Sequence, residues 1–164
     1  MTHASLLPLL VLAPFAALVI FLGRKTKYYY LDTLPLADGE ALRWEEDVRH
    51  ATVSTPSMNR GATYPWCRVR ATDRRLIVAQ KVLFSKRYLV RQVFLFHGEV
   101  SARDQAEGVF KGYSNLRVDP ASATVKGDVF SLSAKPELDS ALVFLEVLEL
   151  RVADPQRYLM LVQG

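Results

Sequence analysis

The chain has 164 residues, half of them hydrophobic, with 21 basic and 17 acidic side chains and a net charge of +4. That length holds one domain of ordinary size with a real core, and a single cysteine, Cys67, excludes a disulfide framework and agrees with a reducing compartment. The three histidines, His3, His50 and His97, lack H-x-x-x-H spacing, and there is no glycine-rich phosphate loop and no G-x-S-x-G elbow, so the sequence argues against an enzyme, a metal site or a bound cofactor.

Leu6 to Leu22 is a run of seventeen residues without charge. As a helix it would be about 26 Å long, close to the roughly 30 Å hydrocarbon core of a bilayer. Pro14 would kink it, a defect that membrane helices tolerate. No basic residue precedes the run, whereas Arg24, Lys25 and Lys27 follow it and Tyr28, Tyr29 and Tyr30 suit an interfacial belt. This pattern predicts an uncleaved transmembrane anchor over residues 1–30 in the inner (cell) membrane, single-pass, with the N-terminus outside and the C-terminal domain cytoplasmic. Residues 31–41, broken by Thr33, Pro35, Asp38 and Gly39, read as a linker, and residues 42–164 as the domain.

Leu42 to Val53 suits a first strand about as well as a short helix. Ser54 to Pro65, with Pro56, Asn59, Gly61 and Pro65, reads as a loop joining the first two strands, a place where Asn59, Arg60 and Tyr64 could meet a ligand. Trp66 to Arg91 then holds eight basic residues against one acid, Asp73. Two strands, Cys67 to Ala71 and Leu76 to Gln80, flank a reversal that Thr72 and Asp73 can hold through their side-chain oxygens. Alternation turns Cys67, Val69 and Ala71 inward, Cys67 as a small apolar residue, and leaves Arg68 and Arg70 on the solvent side. Tyr88 to Phe96 is a further strand whose Leu89, Gln92 and Phe94 require a bulge. His97 to Gly112 is mostly loop. Leu116–Val118, Ala123–Val125 and Val129–Ser133 follow as short strands separated by turn residues.

The arrangement Thr72-x-x-Arg75-Leu76-Ile77 between two short strands resembles the signature of GRAM and bacterial pleckstrin-homology-like domains. The resemblance implies a mainly β fold: a small antiparallel pleckstrin-homology-like barrel with a short C-terminal helix, here preceded by one transmembrane helix. By that analogy Leu142 to Val152 is a strand with one bulge, a helix being the alternative. Asp154-Pro155 starts a closing helix of about two turns, shorter than is usual in the family. Arg75, the arginine of the signature, is expected to brace the turn through backbone carbonyls.

Charge is unevenly spread, with fourteen basic against seven acidic residues up to residue 91 and seven against ten after it. Glu45, Glu46 and Asp47 read as a solvated acidic face. The sequence therefore predicts a binding module whose Arg68, Arg70, Arg74, Lys86 and Arg87 meet anionic lipid headgroups or a membrane protein partner. The alternative is a structural subunit with no ligand of its own. One exposed patch of those five cations would favour the first reading, and an apolar patch with Trp44, Trp66 or Tyr64 the second. Nucleic acid is not expected as a partner, because stacking aromatics are not interleaved with the basic positions.

Overall fold

The computed structural model describes residues 29–96, 114–136 and 144–164. Its frame is a long hairpin, β1 (Leu42–Thr55) with β2 (Arg60–Thr72), paired along almost its whole length. The strand reading of Leu42–Val53 is the one realised. Residues 54–65 are not a loop: the strands run on to Thr55 and from Arg60, and a single turn at Pro56–Met58, closed by left-handed Asn59 (φ 48°), reverses the chain.

From this hairpin the sheet extends both ways, through β3 (Arg75–Lys81), β4 (Tyr88–Leu95) and β5 (Ser114–Val118) on one side, and through β8 (Glu146–Arg151), β7 (Val129–Pro136) and β6 (Thr124–Lys126) on the other. β5 also pairs with β7, which closes the sheet into a barrel and leaves β6 as a flap on β7. Among the described residues all strand pairings are antiparallel except β4 with β5. That departs from the fully antiparallel barrel expected from the sequence. Parallel neighbours cannot be joined by a tight turn, and the separation of β4 from β5 along the chain is long enough for the crossover they need. His97 to Gly112 lies outside the described residues, as do residues 142 and 143 of the final predicted strand. Glu146 to Arg151 is strand, not helix.

Periodicity explains where the core sits. On β2 the inward set Cys67, Val69 and Ala71 is fully buried while Arg68 and Arg70 stay half-exposed. β3 differs, with Leu76, Ile77, Val78 and Ala79 all buried, because both of its faces are covered. Leu76 and Val78 point into the barrel with Phe94, Leu116, Phe130, Leu132, Leu148 and Leu150. Ile77 and Ala79 join Val90, Val93 and Leu95 in a second cluster on the outside. Residues 29–34 cover that cluster with Leu31 and Leu34. The expected bulge in β4 is at Arg91: Val78 pairs with Gln92 and Ala79 with Val90, so Arg91 has no opposite number.

The closing helix α1 (Pro155–Gln163) begins as its sequence predicts, with the Asp154 carboxylate accepting from the Arg157 N–H and Pro155 in the first turn. Short as it is, it plugs the barrel end. Tyr158 and Val162, one turn apart, are buried in the main core, and Tyr158 packs edge-on to Trp44 (5.4 Å) and beside Phe130 (5.3 Å).

The transmembrane prediction is corrected. No helix among the described residues is long and apolar enough to cross a membrane, and α1, with nine residues, would be only about 14 Å long. Leu6 to Leu22 itself lies outside the described residues. Tyr29 and Tyr30, read as an interfacial belt, belong instead to the β domain. Tyr30 bridges to Leu89, the Tyr29 carbonyl accepts from the Val90 N–H (2.9 Å), and the Leu31 N–H donates to Tyr88 (2.8 Å). The single-pass inner-membrane placement with a cytoplasmic domain is therefore not supported.

Replacing Tyr158 by Ala removes the largest buried side chain of the plug and is expected to cost about 3–5 kcal/mol in urea unfolding. Asp154→Ala, which removes only the helix cap, should cost about 1 kcal/mol.

Candidate binding surface

The arginines singled out by the sequence turn out to have partners of their own. Arg68, on the outer face of β2, makes a two-point pair with Asp47 across the β1–β2 ladder (Nε to Oδ1 2.7 Å, Nη2 to Oδ2 2.9 Å), and its guanidinium stacks on the Tyr88 ring at 4.3 Å. Arg70, one pleat along, donates Nε to Glu45 (2.7 Å) and Nη1 to the Leu31 carbonyl (2.7 Å). The acidic residues read as a solvated face are thus cross-strand counter-charges, placed there by the register that sets Glu45 opposite Arg70 and Asp47 opposite Arg68. The Arg68 hydrogen bonds hold the Asp47 carboxyl below the usual carboxylate range, more than offsetting its partial burial.

Arg75 holds a backbone carbonyl, as expected, and a carboxylate besides. Its Nε and Nη2 grip the Glu40 carboxylate (2.8 and 2.9 Å), and Nη2 also reaches the Pro35 carbonyl (2.7 Å). Glu40 has no accessible side-chain surface. Burial on its own would raise the Glu40 pKa, but hydrogen bonds from Arg75, Thr72 and the Ala37 N–H, with the Arg75 charge, outweigh it and hold the carboxyl below its ordinary value. The turn is held as the sequence suggests: Thr72 Oγ1 accepts from the Arg74 and Arg75 amides (3.2 and 3.0 Å), and Asp73 accepts from the Ala41 N–H (2.9 Å). Arg74 lies at this same end, its guanidinium close against Gly39.

Lys86 and Arg87 are at the opposite end of the barrel, in the loop between β3 and β4. The five predicted residues therefore do not form one patch. Arg87 pairs with Asp32 (3.7 Å) and lies over the Tyr30 ring at 3.5 Å, whereas Lys86 is exposed, as is Lys81 at the end of β3. The loop is a defined turn. Val82 donates to the Arg87 carbonyl (3.0 Å), Ser85 to Val82 (3.1 Å), and Ser85 Oγ accepts from the Arg87 amide (3.1 Å). At its tip Leu83 is 69% exposed, and Phe84 is fully exposed and left-handed (φ 59°). Trp66, 61% exposed and also left-handed (φ 49°), flanks the same end of the sheet, because Cys67 pairs with Gln80 and Lys81 with Tyr88. Sequence reasoning missed Leu83 and Phe84. The signal was present in Val82-Leu83-Phe84 between two tight strands and next to Lys86 and Arg87, where an apolar run is out of place in a turn.

Other features lie away from this loop. The Glu46 carboxylate accepts from both Arg157 and the Tyr158 hydroxyl, which ties α1 to β1, and the Arg157 guanidinium lies 4.8 Å over Trp44. Burial, then the hydrogen bond to Glu46, pushes the Tyr158 pKa up. Where β1 and β8 separate below their paired residues Ala51–Ser54 and Val147–Leu150, they leave an open cleft of about 370 Å³ lined by Glu46 to Arg49 and by Arg151 to Ala153. Cys67 is buried, donates Sγ–H to the Tyr64 carbonyl (3.1 Å), and is pushed by burial up to about 11. Among the described residues no cluster of three His, Cys, Asp or Glu could hold a metal ion.

No family model, curated protein or solved structure matches the chain.

Because the folded Glu40 carboxyl titrates below its unfolded value of about 4.5, it stabilises the fold above that pH, and the contribution is lost as pH falls from about 4.5 through the lower folded value. Glu40→Gln should therefore be less stable at pH 7, and its thermal midpoint should fall less steeply than that of the wild type as pH drops below 4.5. Parallel acid limbs for the two proteins would show that Glu40 is not a paired carboxylate.

Proposed function

We propose that the chain is a binding module with no chemistry of its own, and that it binds through the β3–β4 end of its barrel. One observation carries this reading. Phe84 is held fully exposed in a left-handed backbone conformation, so it bears a conformational cost and a hydration cost that no contact among the described residues repays. Strain of this kind persists where function uses it. Leu83 and Trp66 enlarge the apolar surface, and Lys81 and Lys86 give it positive charge. By contrast Arg68, Arg70 and Arg75 have their donors engaged by carboxylates and carbonyls of the fold.

The kinship with pleckstrin-homology-like domains is part of the same proposal. A β barrel plugged at one end by a C-terminal helix supports it, and the parallel β4–β5 pair departs from it. The alternative, a subunit that only packs against a neighbour, has exposed Trp66 in its favour, while Trp44 and Tyr64 pack onto the barrel's own core.

The binding end can be located without knowing the partner. A photo-crosslinking benzoylphenylalanine at Phe84 is expected to give adducts in cells that the same group at Arg43, exposed on β1, does not. Equal or absent labelling at the two positions would overturn the reading. Phe84→Gly, which relieves the left-handed strain, should raise stability by about 1 kcal/mol.

A further inference from the structure

Resting on that assignment of the binding end, we infer that its partner is the surface of an anionic lipid bilayer, into which Leu83 and Phe84 insert while Lys81 and Lys86 meet phosphate groups. The shape of the tip separates this from a protein contact. Leu83 and Phe84 stand at the crest of a hairpin turn and not in a flat or concave patch, and Phe84 is fully exposed. A protein would need a matching pocket to bury such a crest, whereas the acyl boundary of a bilayer accepts a protruding apolar side chain of any shape. Charge points the same way. From Lys81 to Tyr88 the loop carries Lys81, Lys86 and Arg87 and no acid, so cations lie just behind the apolar crest at the depth where headgroup phosphates sit. Arg87 is already turned toward Asp32 and Tyr30, which leaves Lys81 and Lys86 as the groups placed for phosphate. Trp66, beside Lys81 at the same end, has the amphipathic ring that favours the interface. The contact is made from the outside of the bilayer and requires no spanning segment.

This surface is distinct from the single patch of Arg68, Arg70, Arg74, Lys86 and Arg87 expected from the sequence. It shares only Lys86 and Arg87 with the five cations named from the sequence. The ion pairs of Arg68 and Arg70 would have to break before either could reach a phosphate.

The test uses the full chain with an environment-sensitive nitrobenzoxadiazole label at Ser85→Cys, and separately at exposed Asp38→Cys in the segment near the other end. Cys67, buried and titrating near 11, is spared by labelling at neutral pH. Phosphatidylglycerol vesicles are expected to shift the emission at position 85 to the blue, with no response to phosphatidylcholine vesicles and none at position 38. Lys81→Glu with Lys86→Glu should weaken the response by at least about tenfold, and so should added salt. Leu83→Ser with Phe84→Ser should abolish it with the thermal midpoint little changed, since Leu83 is mostly exposed and Phe84 fully so. No shift at position 85 with anionic vesicles, equal shifts at 85 and 38, or a shift indifferent to both double variants would each overturn the lipid assignment. If protein adducts at Phe84 nevertheless formed in the crosslinking experiment, the binding end would stand and only the identity of its partner would fall.

Discussion

A carboxylate with no accessible surface, Glu40, gripped at two points by Arg75, is the interaction on which the rest of this structure depends. An unpaired charge so deeply buried would cost several kcal/mol, so the pair forms as a unit or not at all. Its formation fixes the end of the segment 29–41, because Glu40 belongs to that segment and Arg75 to β3. The same guanidinium holds the Pro35 carbonyl, Arg70 holds the Leu31 carbonyl, and Arg87 faces Asp32. Thus held, the segment lays Leu31 and Leu34 over Ile77, Ala79, Val90, Val93 and Leu95. Without that cover β3 and β4 would present an apolar outer face to water, a liability for any sheet.

A division of labour among the cations follows from this geometry. The arginines suited to two-point recognition, Arg68, Arg70 and Arg75, are turned to carboxylates and backbone carbonyls of the chain itself, which is the use their planar donors serve best. Lysines, as mobile point charges, occupy the exposed β3–β4 end, at Lys81 and Lys86. Basic residues so dense in sequence need not mean a basic surface. Here the counter-charges arrive from β1, where Glu45 and Asp47 meet the arginines of β2 while Glu46, on the opposite pleat, reaches the closing helix. Three successive acids thereby hold two different parts of the barrel.

Features carried by local rules could be read directly from the chain. The alternation of Cys67, Val69 and Ala71 with Arg68 and Arg70, the Thr72 turn, the Asp154-Pro155 helix start and the need for a bulge in β4 each depend on a few adjacent residues and were legible. What depends on register was not. The roles of Glu45 and Asp47 become visible only once β1 is known to pair Asp47 with Arg68, and a stretch equally consistent with helix and strand fixes no such register. Residues 29–41 misled for a related reason: their turn residues break any periodicity, so the buried Leu31, Leu34 and Glu40 carry no pattern that marks them as packed. The apolar run at Leu6–Leu22 set the expectation of an anchored domain, and its reading of Tyr29 and Tyr30 gave way once their pairing with β4 was seen. For the candidate site, the charge half of the signal at Lys86 was legible and the apolar half at Leu83 and Phe84 was not, because a hydrophobic tripeptide beside a strand is ordinarily taken as more strand.

The claim that arginines paired within the chain hold the fold is tested most directly by a double-mutant cycle on the central pair, Glu40→Gln and Arg75→Met, followed by urea unfolding at neutral pH. If the pair forms as a unit, each single change should cost about 3–5 kcal/mol and the double change little more than either one, a coupling of roughly 2 kcal/mol or greater that survives added salt. Costs that simply add, or that vanish at high salt, would contradict it.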